Sequence, residues 1–196
     1  MAKSKVYTSP IKRSRRLDIH VLAKADKYLA RRPYAPGQHG QSRRSKPSDY
    51  ALQLQEKQRA KFIYGLRERQ FRNIFRVAAK GSSATGEKLL QLLELRLDNI
   101  IYRSGMARTR RQARQLVTHG HFCVNNRCAT IPSLTVSKDD IISPKNKEGF
   151  NFHDTESVSW IKKDSKKIAS QLIKIPSRLE IPTELDEQLI IEFYSR

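Results

Sequence analysis

Cysteine is nearly absent from this chain: among 196 residues only Cys123 and Cys128 occur. Zinc sites built on cysteine need a second closely spaced pair of ligands. There is none, so a finger or ribbon is excluded. The two thiols flank a possible hairpin turn, which leaves a structural disulfide open. Two small buried hydrophobes in a reducing compartment fit the pattern better. Long apolar runs are missing as well, and none approaches the roughly 20 residues that span a bilayer. The start, from Met1 to Lys5, has no apolar stretch behind its charge and does not read as a secretory signal.

Acids are the third shortage. Nineteen Asp and Glu stand against 39 Lys and Arg, a formal net charge of +20. The imbalance is graded. Residues 1–50 hold thirteen bases and three acids, residues 51–93 nine and three, residues 94–142 eight and four, and residues 143–196 nine of each. Like charges repel in a compact state, so a fold gains nothing from the excess. It implies an external polyanion over the first three-quarters of the chain, with nucleic acid the leading candidate.

Catalytic signatures are also missing. Five histidines occur without a Ser/His/Asp order or elbow glycines. The loop at residues 81–86 resembles a phosphate loop in composition only, because it lacks the GKS/T ending and no strand precedes it. Acids such as Asp98, Asp139 and Asp140 read as capping and ion-pairing residues. The chain reads as a binding protein, not an enzyme.

What is present falls into four parts. Residues 1–46 read as a basic, mostly irregular arm, with a cation cluster at Arg13, Arg15 and Arg16 and a short helix expected from Asp18 to Arg31. Arg31 and Arg32 then lead into a loop at residues 33–40 whose two prolines and two glycines restrict its shape. Arg43 and Arg44 follow. Residues 47–93 read as a helical domain. Ser48 or Asp49 can start its first helix, Tyr64-Gly65 breaks it, and Phe71, Ile74, Phe75 and Ala78 form the buried stripe of the next. Arg69, Arg72 and Arg76 lie three or four apart on another face, a cationic ridge with few acids to balance it. Leu89, Leu93, Leu97, Ile100 and Ile101 then line one side of a strong helix expected to stop near Ser104-Gly105.

Residues 94–142 read as a small module of two helices on a short antiparallel sheet. Thr109 and Gln112 fit a capping box, and Gly120 suits a helix end. Phe122 and Val124 alternate inward, and Asn125-Asn126 suits a tight hairpin turn. Arg108, Arg110, Arg111 and Arg114 gather where the second helix begins. Exposed cations there oppose the helix dipole by roughly 0.3–1 kcal/mol each, whereas a bound phosphate gains from both the amides and the arginines. An edge that grips a shaped backbone suits structured RNA better than DNA. Replacing Arg110, Arg111 and Arg114 by Ala is therefore expected to weaken RNA binding with little loss of fold. In residues 143–196, Phe150, Phe152, Val158 and Trp160 suggest short strands, and Leu189, Ile191 and Phe193 alternate as in a strand. A helix is also expected in this segment, which completes the body. From Ile175 onward two bases face five acids, a balance suited to a protein neighbour rather than RNA. The fold class is α+β.

Several stretches, in order, resemble one family: YAPGQHG at residues 34–40, QEKQ at 55–58, YGLRERQF at 64–71, LLELRLDNIIYRSGMA at 92–107, RQLVTHGH at 114–121, VNN at 124–126, IPS at 131–133 and EQLIIEFYSR at 187–196. Together they are similar to small-ribosomal-subunit protein four of bacterial or organellar type. The module alone is shared with RNA-modifying enzymes, but pseudouridine synthases carry their catalytic Asp on a much larger separate domain. A free RNA chaperone using the same module is the other rival. The resemblance implies a primary assembly protein that nucleates the 5′ domain of small-subunit rRNA. It also implies a place at the mRNA entry channel beside proteins three and five, a role in accuracy, and residence in a cytoplasmic or organellar small subunit. It further implies that Arg108, Arg110, Arg111, Arg114, His119 and His121 face rRNA. The same is implied for the loop bearing Gln38 and His39 and for the cluster at Arg43 and Arg44. Many members hold zinc near the N-terminus with cysteines. No residue among 1–50 is Cys, which implies the metal-free type, without a cofactor.

Overall fold

The computed structural model describes residues 9–19, 23–42, 46–81, 84–146, 150–153 and 158–195. It divides into two compact units, one formed by Met1–Ile63 with Gln188–Arg196, the other by Tyr64–Glu187. Eight helices and a five-stranded antiparallel sheet among the described residues make the fold α+β.

The first unit has more regular structure than an irregular arm. Helix α1 (Pro10–Leu17) starts with proline in its first turn, where a missing N–H is harmless. It ends at Asp18, whose left-handed φ of 51° lets its N–H reach Ser14 C=O. Helix α2 (Ala23–Arg31) buries Ala25 and Leu29, one turn apart. Of the helix expected across residues 18–31, α2 covers Ala23–Arg31, while Asp18 closes α1, which lies before the expected span. Helix α3 (Asp49–Ile63) is capped by Ser48, whose Oγ accepts the Ala51 N–H at 3.3 Å.

Between α2 and α3, the loop at residues 33–40 turns through a 3-10 segment, Gln38–Gly40. Gly40 packs so closely that an added Cβ would lie 1.9 Å from the Ala35 carbonyl oxygen. Because backbone must move to admit it, Gly40→Ala is expected to cost about 1–3 kcal/mol, read as a lowered urea midpoint.

The last helix, α8 (Glu187–Ser195), belongs mostly to this unit and corrects the strand expected there. Leu189, Ile191 and Phe193 do alternate, but Ile190 between them is the fully buried residue. Phe193 instead covers the Lys57 ammonium, 4.2 Å from the ring centroid, and Gln53 bonds Glu192 at 3.0 Å. Period-two alternation inside a continuous apolar run does not separate strand from helix.

In the second unit, helix α4 (Glu68–Ala79) buries Phe71 and Ala78 and half-buries Ile74 and Phe75. The single helix expected through Ile101 is two, α5 (Thr85–Glu94) and α6 (Leu97–Arg103). Arg96 between them is extended and bridges to Thr135, while Leu97 N–H and Leu95 C=O bond Leu134 and Val136. The expected apolar stripe is still all buried, because both helices turn the same side inward.

Helix α7 (Arg110–Thr118) is capped by the Thr109 hydroxyl, which accepts Gln112 N–H at 3.1 Å. The reciprocal bond differs from a capping box, since the Gln112 side chain accepts from Arg108 N–H. Gly120, at φ +73°, turns the chain into β1 (Phe122–Val124). Asn125 and Asn126, both with left-handed φ, make the tight turn into β2 (Arg127–Ala129). Strand β3 (Ile141–Pro144) pairs with β1. The sheet then continues past residue 142. Strands β4 (Ile161–Asp164) and β5 (Ala169–Leu172) complete the order β2-β1-β3-β5-β4. The strands expected around Phe150, Phe152, Val158 and Trp160 therefore lie later. Trp160 is buried in the turn that precedes β4, and Phe150 packs edge-on against Phe122.

Candidate nucleic-acid interface

Arginines decide this site, and the structure sorts them into exposed and engaged. On α4, Arg69, Arg72 and Arg76 are all exposed, on the side opposite buried Phe71 and Ala78. On α7 and its approach, Arg108 and Arg111 are exposed as well. No acid lies in the first turn of α7, so the helix itself supplies no charge to offset these cations against its dipole.

Arg110 and Arg114 are engaged with the protein. The Arg110 Nε donates to Asn99 Oδ1 at 2.8 Å, and its guanidinium lies 4.3 Å from the Tyr102 ring centroid and 5.3 Å from that of Tyr64. Arg114 donates through Nε and Nη2 to Asp98 Oδ2 at 3.0 and 2.6 Å, and through Nη1 to Gly65 C=O at 2.5 Å. That last bond ties the turn before α4 to α7, so Arg114 helps set where the α4 ridge stands. The triple replacement of Arg110, Arg111 and Arg114 would thus remove structural bonds with binding charge, contrary to the small loss of fold expected from sequence.

Behind these arginines is a buried polar network that the sequence reading did not assemble. Glu94, only 1% exposed, takes a bidentate Arg103 at 2.9 and 3.0 Å, the Asn99 amide at 2.6 Å and the Tyr64 hydroxyl at 2.7 Å. Asn99 carries the connection on to Arg110. Next to it in sequence, buried Asp98 bonds Arg96 at 3.1 and 2.9 Å as well as Arg114. Burial pushes the Glu94 carboxyl up, but the Arg103 charge and hydrogen bonds outweigh this and hold it below the usual carboxylate range. Burial, then the Glu94 charge, pushes the Tyr64 hydroxyl up, so it stays a donor. The available signal was Asp98-Asn99 beside Glu94 and Arg96, within the stretch expected to be one helix with an apolar side; Asp98, expected to cap or ion-pair, does ion-pair.

His119 and His121 are both exposed, with rings 6.3 Å apart, just before β1. In the first unit, Arg13 is exposed over the Phe62 ring at 5.7 Å, and Arg16, Arg31 and Arg32 are exposed. Arg15 instead clasps the loop. Its Nε and Nη2 donate to Tyr34 C=O at 3.2 and 2.9 Å, and Nε also reaches Arg32 C=O. Gln38 and His39 lie exposed on the 3-10 turn that this clasp holds. Arg43 and Arg44 lie outside the described residues. No helix among the described residues is long and apolar enough to cross a membrane.

Cys123 is buried and Cys128 exposed, so only one of the two matches the expected pair of buried hydrophobes. They are free thiols facing each other across β1 and β2.

Two family models cover this architecture in sequence. Residues 5–94 match the ribosomal protein S4/S9 N-terminal domain, and residues 95–142 match the S4 domain. Among curated proteins, the small ribosomal subunit protein uS4 of Salinibacter ruber is 50% identical, over 87% of this chain and 88% of its own. The uS4 protein of Rhodococcus erythropolis is 47% identical over 97% and 98%, and that of Chlorobium phaeovibrioides 45% over 93% and 95%. An S4 domain carried behind an S4/S9 N-terminal domain, with identity of this level across nearly the full length, makes the chain a member of the uS4 family of small ribosomal subunit proteins, structural and RNA-binding rather than catalytic.

Proposed function

We propose that this member of a structural small-subunit family is a primary assembly protein, nucleating the 5′ domain of small-subunit rRNA by binding a multi-helix junction directly. The observation that carries this reading is the exposed ridge of Arg69, Arg72 and Arg76, together with exposed Arg108 and Arg111 at a helix start that has no acid. Such a surface is repelled by itself and stabilised by phosphate. The exposed cations Arg13, Arg16, Arg31 and Arg32, with Gln38 and His39, extend the contact in the first unit, and His119 and His121 extend it in the second. Arg43 and Arg44 belong to the same proposed set. Arg15, Arg110 and Arg114 shape the surface more than they cover phosphate.

The acid-rich segment from Ile175 supports a protein neighbour, in this reading protein five. Leu179 is 98% exposed, Ile175 is also exposed, and Lys174 and Arg178 are already paired with Glu180 and Glu187. Such a surface is poor for RNA and suited to a protein. A location near protein three at the mRNA entry channel, with an effect on accuracy, follows from the same proposal.

Chemical footprinting of the purified full-length protein on whole small-subunit rRNA tests it. Protection concentrated at one multi-helix junction of the 5′ domain is the expected result. Protection elsewhere, or none at moderate ionic strength, would reject the assembly role.

A further inference from the structure

Two thiols outside the proposed RNA-binding set face each other across the β1–β2 hairpin. Cys123 and Cys128 are register partners, and their Sγ atoms are 3.0 Å apart. The neighbouring backbone bonds define the kind of pair. His121 C=O accepts Lys145 N–H, and Asn125 N–H donates to Ile141 C=O. Residues 121, 123 and 125 therefore direct their backbone groups toward β3, away from β2. Cys123 and Cys128 oppose each other without a backbone bond between them, where Cα atoms come to roughly 4.5 Å. That lies inside the roughly 4.4–6.8 Å window of a disulfide.

The two thiols differ in access. Cys123 is 8% exposed, while Cys128 is exposed on β2, the edge strand of the sheet. A reagent from solution meets Cys128, and Cys123 waits behind it within bonding reach. We propose that Cys123 and Cys128 form a thiol-exchange modification site, which a small-molecule disulfide converts into an intramolecular cross-strand bond.

The chemistry balances without another oxidant. The Cys128 thiolate attacks one sulfur of the small disulfide, forming a mixed disulfide and releasing one small thiolate, which takes up a proton. Cys123 then loses its proton to water, and its thiolate attacks Cys128 Sγ. The second small thiol leaves with the electron pair of the bond that breaks. Two protein thiols are oxidised and one small disulfide is reduced to two thiols. The hydrogen bond with Cys128, then burial, pushes the Cys123 thiol up. The product pins β2 to β1, two residues from His121 along the chain.

Oxidised glutathione added to the full-length protein tests this, followed by maleimide alkylation and intact mass measurement. Wild type should finish two hydrogens lighter, unalkylated and monomeric, and should recover both thiols with dithiothreitol. Cys123→Ser should stop heavier by one glutathionyl group, and Cys128→Ser should remain unmodified when wild type is complete. A persistent glutathione adduct on wild type, a disulfide-linked dimer, or two thiols still open to maleimide would overturn the proposal. So would Cys128→Ser reacting as fast as wild type. Circular dichroism checks that each serine variant is folded; where one is not, the wild-type masses decide.

Discussion

Glu94→Ala is expected to destabilise the second unit by about 3–5 kcal/mol, the usual cost of removing one partner from a buried charge pair. The loss exceeds one contact because Glu94 accepts from four side chains, Arg103, Asn99, Tyr64 and, at 3.5 Å, Thr183. Without it the Arg103 guanidinium and the Tyr64 hydroxyl keep only Thr183, and the Asn99 amide keeps only the backbone carbonyl of residue 94, all in a buried place. Hydrogen bonding that stays unmade in such a place costs its full desolvation. Urea unfolding of the full chain measures it, and a change under about 1 kcal/mol would mean water reaches the site. Replacing Glu94 and Arg103 together by Met should recover much of the loss, since an apolar pair of similar volume removes the orphaned charge.

The same carboxylate sets an acid limit. Its folded-state pKa is lower than its unfolded one, so its contribution is complete above the ordinary carboxylate range. It is lost as pH falls from there through the folded value. The wild-type urea midpoint should therefore drop on acidification below the ordinary Glu pKa of about 4.3, and Glu94→Gln should flatten that dependence.

Replacing Arg69, Arg72 and Arg76 together by Ala should weaken rRNA binding strongly while leaving stability nearly unchanged. All three are exposed on one helix, and surface changes of this kind usually stay within about 0.5 kcal/mol each. Alanine also favours helix. If each arginine meets one phosphate, the slope of log affinity against log salt should shrink by roughly 2–3 in all, at 0.7–0.9 per contact. Filter binding to the 5′-domain RNA across a salt series measures this, and an unchanged slope would remove the ridge from the interface. The pair Arg110→Ala and Arg114→Ala should behave differently, losing stability along with affinity because Asn99, Asp98 and Gly65 lose their partners.

Much of the fold was legible before any coordinates. Ser48 and Thr109 cap helices as their positions implied, and Gly120 and Asn125-Asn126 turn the chain where those residues tolerate left-handed φ. These are local effects, settled within a few residues. The failures were of another kind. The helix through Leu89 to Ile101 breaks at Arg96 because Thr135, about forty residues on, supplies an extended partner, and no local propensity reports that. Helix α8 was mistaken for a strand because alternation ignored buried Ile190, and the contacts of this helix, Gln53 with Glu192 and Lys57 with Phe193, come from far away in sequence.

The site divides along the same line. The amino-acid order alone established the surplus of cations, their concentration in the first three-quarters and hence an RNA-like partner, since net charge is additive and needs no geometry. Only the tertiary structure decided which arginines are available to that partner. Arg108, just before α7, and Arg111 on it stand in solvent, while Arg110 and Arg114 on the same helix turn to Asn99, Asp98 and Gly65. A guanidinium pairs with whichever acceptor the fold brings within about 3 Å, and that distance exists only once α6 and α7 have packed together.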